Sequence, residues 1–230
     1  MCRGETVVSA FDTPSPFHGL GSGMAESTRS NAVELVAPVL LLDVSHEVFL
    51  ALTATIYNFE LDLADNDRSV YETLALRVAM HPSESEEYLL TRVLAYAMEY
   101  VEGIEFSAGG LSNPDDPAIT MKDMTGALRA WIEVGTPDAD RLHRASKAAP
   151  RVAVYVHRDP GQFLARLAGE RIHRSEALEI WGMDQALIQQ LVARLERRMS
   201  LSVSITDREL YISTGVESFT GQVRRCVIER

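Results

Sequence analysis

Cysteine is nearly absent: the chain of 230 residues has two, Cys2 and Cys226, near opposite ends and without metal-ligand spacing. A disulfide framework and a cysteine zinc site therefore have no basis, and reduced thiols in a cytoplasm fit this usage. Long hydrophobic runs are also missing. The most apolar early stretch, Val33 to Leu42, contains Pro38 and has Glu34 and Asp43 beside it instead of a basic flank. It is shorter than the ~20 residues of a spanning helix and lacks a signal-peptide pattern, so no membrane association is expected. Positive charge is scarce: 22 Lys and Arg stand against 33 Asp and Glu, a formal net charge of -11. Phosphate binding is driven by cations displacing counterions, so attachment to DNA over the whole surface is disfavoured and any nucleic-acid contact must be local. The six histidines show no paired spacing for zinc, and structural or surface roles are expected of them. No GxxxxGK(S/T), no GxGxxG after a strand and no GxSxG occurs, which leaves no support for a nucleotide or other organic cofactor, or for a serine hydrolase.

Against these absences, 46% of the residues are hydrophobic, enough to bury one real core. The first thirty or so residues are not part of it, because Pro14, Pro16, Gly19, Gly21 and Gly23 crowd among Ser and Thr, a composition that rarely packs. The expectation is a disordered leader over residues 1–49 and one folded domain over residues 50–230.

Within that domain the patterning changes period several times. LTATIYNFELDL (Leu52 to Leu63) is rich in Thr, Ile, Tyr and Phe and runs into Asp65-Asn66-Asp67, which is strand followed by turn chemistry. ETLALRVAM (Glu72 to Met80) alternates again and should pair with it. Ser83 followed by Glu86 has the form of a capping box, and Leu90, Val93, Leu94, Ala97, Met98 and Val101 share one face, predicting a helix from about Glu84 to Glu102. Ile119 to Lys122 and Leu128 to Val134 flank Asp123-Met124-Thr125-Gly126, which predicts a hairpin with Asp116 roughly opposite Glu133. Pro137-Asp138 opens a helix to about Ala148, and VAVYV (Val152 to Val156) is apolar on both faces, as a central strand covered on two sides would be. A helix near Pro160 to Leu167, a strand near Ala177 to Trp181, a helix from Asp184 to about Arg198 and a hairpin of Leu201 to Ile205 with Leu210 to Ile212 complete an α/β reading.

Acidic residues are the candidates for chemistry. Glu84 and Glu87 open the long helix and lean toward its packed face, although the helix dipole alone explains acids in a first turn. Asp115 and Asp116 sit in Asn113-Pro114-Asp115-Asp116-Pro117, which is also ordinary loop composition. Glu133 lies in the apolar strand end Trp131-Ile132-Glu133-Val134-Gly135, where burial is costly without a cation or donors. Three acids from separate elements can hold Mg²⁺.

HPSESEEYLLTRVLAYA (His81 to Ala97), DDPAITMKDMTG (Asp115 to Gly126), WIEVGTPDADRLHRASKA (Trp131 to Ala148) and the opening ALTATIYNFELDLAD resemble the YaeQ family, from about Ala51 almost to the C-terminus. The resemblance implies a restriction-endonuclease-like fold related to the PD-(D/E)XK nucleases: a single domain with a mixed β-sheet flanked by helices. It further implies a site in which a helix Glu (Glu84 or Glu87), a hairpin Asp (Asp116 before Asp115) and Glu133 bind Mg²⁺ or Mn²⁺. In such nucleases a lysine two positions after the last acid helps activate water while the metal stabilises charge on the phosphate. Here that position is Gly135. Arg144, where the family tends to carry a lysine, and Lys147 are the candidates to supply the cation, although arginine cannot act as a base and a helix dipole equally explains Lys147. Two readings stay open: a metal-dependent nuclease or phosphodiesterase using Glu87, Asp116, Glu133, Lys147 and Arg144, or a catalytically inactive module of that fold binding nucleic acid or a protein. A basic rim of Arg141, Arg144, Lys147 and Arg151, with Arg171, His173 and Arg174, would favour nucleic acid. The family begins with Met-Ala-Leu where this chain reads Leu50-Ala51-Leu52, so the expectation is that Leu50 is a non-AUG start and residues 1–49 are upstream translation.

Overall fold

The computed structural model describes residues 54–107 and 116–228, so the expectations about the leader, Leu50 and Asp115 lie outside the described residues. The described residues fall within one compact unit, Phe49–Arg230. Its first strands are β1 (Thr55–Asp65) and β2 (Val70–Met80), antiparallel in register from Thr55 opposite Met80 to Asp65 opposite Val70. Strict alternation sends Phe59, Leu61, Leu63, Leu74, Leu76 and Val78 inward while Asn58, Glu60 and Asp62 face out. Their turn is closed by Asp65, which accepts hydrogen bonds from the backbone N–H and the guanidinium of Arg68.

Helix α1 (Glu86–Glu99) follows, two residues later at its start and three earlier at its end than the sequence pattern suggests. The N-cap is Ser85, whose Oγ accepts from Tyr88 N, while Ser83 pairs with the ring of His81. Every residue from Leu89 to Glu99 is buried. A helix enclosed all round is a core element, and its polar members Arg92 and Glu99 must find partners inside.

After β3 (Ile104–Phe106) comes the expected hairpin, β4 (Ile119–Lys122) and β5 (Leu128–Val134). The Asp123 carboxylate accepts from the backbone N–H groups of Thr125 and Ala127 and so shapes its turn. A register shift at Met121 and Lys122 sets Ile119 opposite Ile132. Extending that register puts Ala118, not Asp116, opposite Glu133: one residue of the shift comes from Lys122 pairing with Leu128 across the turn and one from the irregularity. Helix α2 (Ala139–Ala148), capped by Asp138, β6 (Arg151–Val156), α3 (Pro160–Leu167), a 3-10 turn (Ser175–Ala177) and β7 (Glu179–Gly182) continue the chain. Helix α4 (Gln185–Val192) ends six residues before the predicted Arg198, because Arg198 already begins β8 (Arg198–Thr206) alongside β1. The last strands are β9 (Glu209–Ser213), β10 (Ser218–Gln222) and β11 (Arg224–Cys226).

The strands form two mixed sheets in place of the single one expected, ordered β10-β9-β8-β1-β2 and β11-β7-β6-β5-β4-β3. In the second, β5, β6 and β7 are parallel. The main core joins the inner face of the first sheet, helices α1 and α4, and one face of the second, including Ile132, Ala153 and Tyr155. The alternate residues Trp131, Val152, Val154 and Val156 enter a second core beneath α2 and α3 with Leu142 and Phe163. Strand β6 is therefore buried on both faces, as its continuous apolar run predicts. At Gly221 of β10 the helix comes so close that a Cβ would meet Leu187 at 2.7 Å; only glycine permits that approach. Among the described residues no helix is long and apolar enough to cross a membrane.

Candidate functional site

Parallel strands in an α/β sheet leave a crevice at their carboxyl ends, where successive loops part company. Here the carboxyl ends of β5 and β6, the approach to α1 and the first turns of α2 enclose a cleft of about 460 Å³, a size suited to a small ligand or one segment of a larger one. Glu84, Glu133, Arg141 and Arg144 line it, as do Tyr88, Gly135, His157 and Arg158. A larger groove of about 750 Å³ crosses the outer face of the first sheet, but it collects hydroxyls such as Ser202, Ser213 and Thr220 with Tyr71 and Tyr211 instead of converging cations.

Glu133 is the most constrained group of the cleft. It is 3% exposed. Arg141 approaches it from the next helix, Nε donating to Oε1 at 2.7 Å and Nη2 to Oε2 at 3.2 Å, and the indole N–H of Trp131 also donates to Oε1. A forked guanidinium matches both carboxylate oxygens, the strong form of such a bond. Burial nevertheless pushes the Glu133 carboxyl above its ordinary range, against the lowering effect of Arg141. The same guanidinium donates from Nη2 to the backbone carbonyl of Asp116 at 2.7 Å. Arg141 therefore joins the residue from the β3–β4 connection to the acid of β5, a role for which the expected reading had a divalent ion.

Glu84 is buried in front of α1 and accepts from Arg92 Nη2 at 3.1 Å; Arg92, 2% exposed, also donates to the carbonyl of Ala79. Glu87, half-buried one turn on, turns toward α4 and accepts from Gln189 at 3.3 Å. Its own backbone N–H and the Ser85 hydroxyl hold its carboxyl below the usual range. Thus Glu84 and Glu133 share the cleft, each with an arginine, whereas Glu87 and Asp116 do not line it. Among the described residues no three His, Cys, Asp or Glu side chains converge in the manner of metal ligands. As arranged, the residues do not fit a resident Mg²⁺ or Mn²⁺.

The expected basic rim is likewise divided. Arg141 and Arg144 line the cleft, while Lys147 is exposed in the last turn of α2 and does not. Arg151 sits at the opposite end of β6, six residues or about 20 Å of strand away, and is bound bidentately to Glu99 and to Glu179. Tyr155 donates its hydroxyl to Glu99 in the same cluster, which ties α1 to the second sheet. His143 and His173 meet edge to face at 6.3 Å, and neither they nor Arg171 and Arg174 line the cleft.

Two residues not singled out from the sequence do line it, His157 and Arg158. His157 is 8% exposed, its Nδ1 has no hydrogen-bond partner among the described residues, and its ring stands edge-on to Tyr88 at 6.2 Å. Burial foremost, with Arg158 beside it, lowers its pKa from the usual 6.5, opposed by Glu87. The available signal was position: the two polar residues directly after VAVYV had to emerge at the carboxyl end of a parallel strand. Burial also raises the Tyr88 phenol well above its ordinary value.

A sequence model of the YaeQ protein family matches residues 50–223. The uncharacterised protein YaeQ of Salmonella typhi is 31% identical over 165 residues, which cover 71% of this chain and 91% of that protein. Its uncharacterised Escherichia coli K12 counterpart is 29% identical over the same shares. The crystal structure of YaeQ from Pseudomonas syringae superposes with a TM-score of 0.68 at 30% identity, over 76% of this chain and 97% of that one. YaeQ from Xanthomonas axonopodis pv. citri gives 0.69 at 31%, over 77% and 100%. With a family match spanning most of its length, and with the likeness extending to three dimensions, this chain belongs to the YaeQ family.

Proposed function

We propose that this protein is a nucleic-acid-binding module of restriction-endonuclease-like ancestry, whose cleft at the ends of β5 and β6 receives a backbone phosphate without a resident metal. The observation that carries this reading is the forked pair of Arg141 with Glu133. It neutralises the buried acid of the cleft and leaves Arg144 and Arg158 as its further cations, against Asp138 at the start of α2. Because the whole chain carries -11, the contact is local and sensitive to salt. The test is fluorescence anisotropy of a labelled single-stranded 12-mer of DNA in EDTA and low salt. Binding by the parent, weakened by Arg144→Ala and by Arg158→Ala with a salt slope reduced by about one for each, supports the reading. Absence of binding, or indifference to both substitutions, overturns it and directs the search to a protein partner.

A second reading, the metal-dependent nuclease or phosphodiesterase, draws on Glu84 and Glu133 lining one cleft. It requires Mg²⁺ or Mn²⁺ to be recruited by Glu133, Asp116 and Glu84 or Glu87, with Arg144 or Lys147 on the phosphate, and so needs Arg141 to release Glu133. Calorimetry with Mn²⁺ separates the two: binding by the parent that is lost in both Glu133→Ala and Asp116→Ala favours the enzyme, and no binding by a folded parent favours the metal-free module.

A further inference from the structure

We propose that His157 contacts the ligand of this cleft directly, donating a hydrogen bond from Nε2 to a phosphoryl oxygen, beside the position where the related nucleases carry their lysine. The inference rests on the phosphate-binding reading above and adds to it a neutral donor.

The juxtaposition begins at Gly135, two residues after Glu133. Its φ is +88°, and a Cβ built on it would lie 3.6 Å from Cε2 of Tyr88 and 3.8 Å from Cε1 of His157. A lysine at that position would send its side chain out against these two rings. With glycine there, the space beside Glu133 is bounded by the imidazole, supplied from the neighbouring strand β6 just past Tyr155, whose carbonyl accepts from Gly135 N at 2.8 Å.

The tautomer follows from the hydrogen-bond inventory. Nδ1 is enclosed and has no partner among the described residues. A buried N–H with no acceptor is rarer in proteins than an acceptor left unused, so the proton belongs on Nε2. Because Nδ1 is enclosed, a ligand in the cleft meets the ring at its other nitrogen, which is then a donor. Around the ring stand Arg158 next in the chain, Tyr88 and Glu87 from α1, the Glu133–Arg141 pair across β5 and α2, Asp138, Arg144, and the Arg92-paired Glu84; burial with Arg158 outweighs Glu87 and favours a neutral imidazole. Two arginines supply charge to a phosphate, and a neutral histidine supplies direction, a division suited to an anion that must be oriented as well as held.

The experiment uses the full chain, free of metal, at pH 7, titrated with inorganic phosphate. Histidine ring ¹⁵N spectra of the labelled protein, with His157 assigned through its backbone, should show the Nε2–H tautomer, and that nitrogen should shift with the same saturation as phosphate binding measured by calorimetry. His157→Phe, which keeps a flat ring and removes the donor, should weaken phosphate binding by about tenfold, the scale of a lost hydrogen bond to a charged group. A ring protonated on Nδ1, an Nε2 signal that stays still while phosphate saturates, or a folded His157→Phe that binds like the parent each overturns the proposal. If the phenylalanine variant does not fold, the spectra of the parent decide. Failure of the parent to bind phosphate at all overturns the underlying reading, and this inference with it.

Discussion

Arg141 spans two segments of the chain at once, holding both carboxylate oxygens of Glu133 and the carbonyl of Asp116. A cation built into α2 thus does what a bound metal does elsewhere: it draws a loop and a strand end onto one centre. Charge and reach suffice for that, although a guanidinium has no open coordination position at which to activate water.

Removing that guanidinium leaves a buried carboxylate without its main partner. Arg141→Gln is expected to destabilise the fold by about 3 kcal/mol, the lower end for a broken buried pair because Arg141 keeps some solvent access. The same variant should gain affinity for Mn²⁺, which would raise its Tm while leaving that of the parent unchanged. Thermal melts with Mn²⁺ and with EDTA read both effects; a variant indifferent to Mn²⁺ would mean that Glu133 and Asp116 cannot share an ion.

Glu84 and Arg92 form the most enclosed ion pair described, with side chains 0% and 2% exposed. Arg92→Met should cost about 3–5 kcal/mol in urea denaturation, since it strands a buried charge. Adding Glu84→Met should return much of that loss. A double variant no more stable than Arg92→Met would show that the two residues act separately.

Protonation of His157 links the cleft to stability. Its folded pKa is depressed below the unfolded 6.5, chiefly by burial, so the unfolded chain binds more protons between the two values and stability rises with pH there. The folded state should therefore lose stability as pH falls through about 6.5 toward the lower folded value. The decline should be shallower in His157→Gln, measured as the urea midpoint from pH 7.5 to 5. Parallel profiles for the two proteins would assign the pH dependence to other groups.

Gly135 adopts φ +88° where it follows the acid of β5. A Cβ there has ordinary contacts and meets no obstruction, so Gly135→Ala should cost roughly 1–2 kcal/mol from backbone conformation alone. Tm should fall by several degrees without loss of the fold. Failure to fold would instead indicate a steric demand that the 3.6 Å approach to Tyr88 does not predict.

The local elements were legible because local physics makes them. Alternation drew β1 and β2, helical spacing drew α1, and Asp123 with Gly126 announced the turn between β4 and β5. The start of α1 was misplaced by two residues because Ser83 and Ser85 are equally good caps in sequence, and only the hydrogen bond between Ser83 and His81 removes the first from competition. The polar strand Ser218–Gln222 was not foreseen: its outward residues carry no apolar period, and its place depends on Gly221 lying under Leu187.

By itself the sequence determined an α/β protein with few thiols, a marked acidic excess, and an acid on an otherwise apolar strand end at Glu133 with glycine two residues later. The tertiary structure decided the division of the strands into two sheets, the register that sets Ile119 opposite Ile132, the pairing of Glu133 with Arg141, and the entry of His157 and Arg158 into the cleft. The physical reason is range. Periodicity, capping and turn chemistry act between residues a few positions apart, whereas pairing of β1 with β8 or of β5 with β6 is settled by burial between segments far apart in the chain, and the cleft exists only where those pairings end.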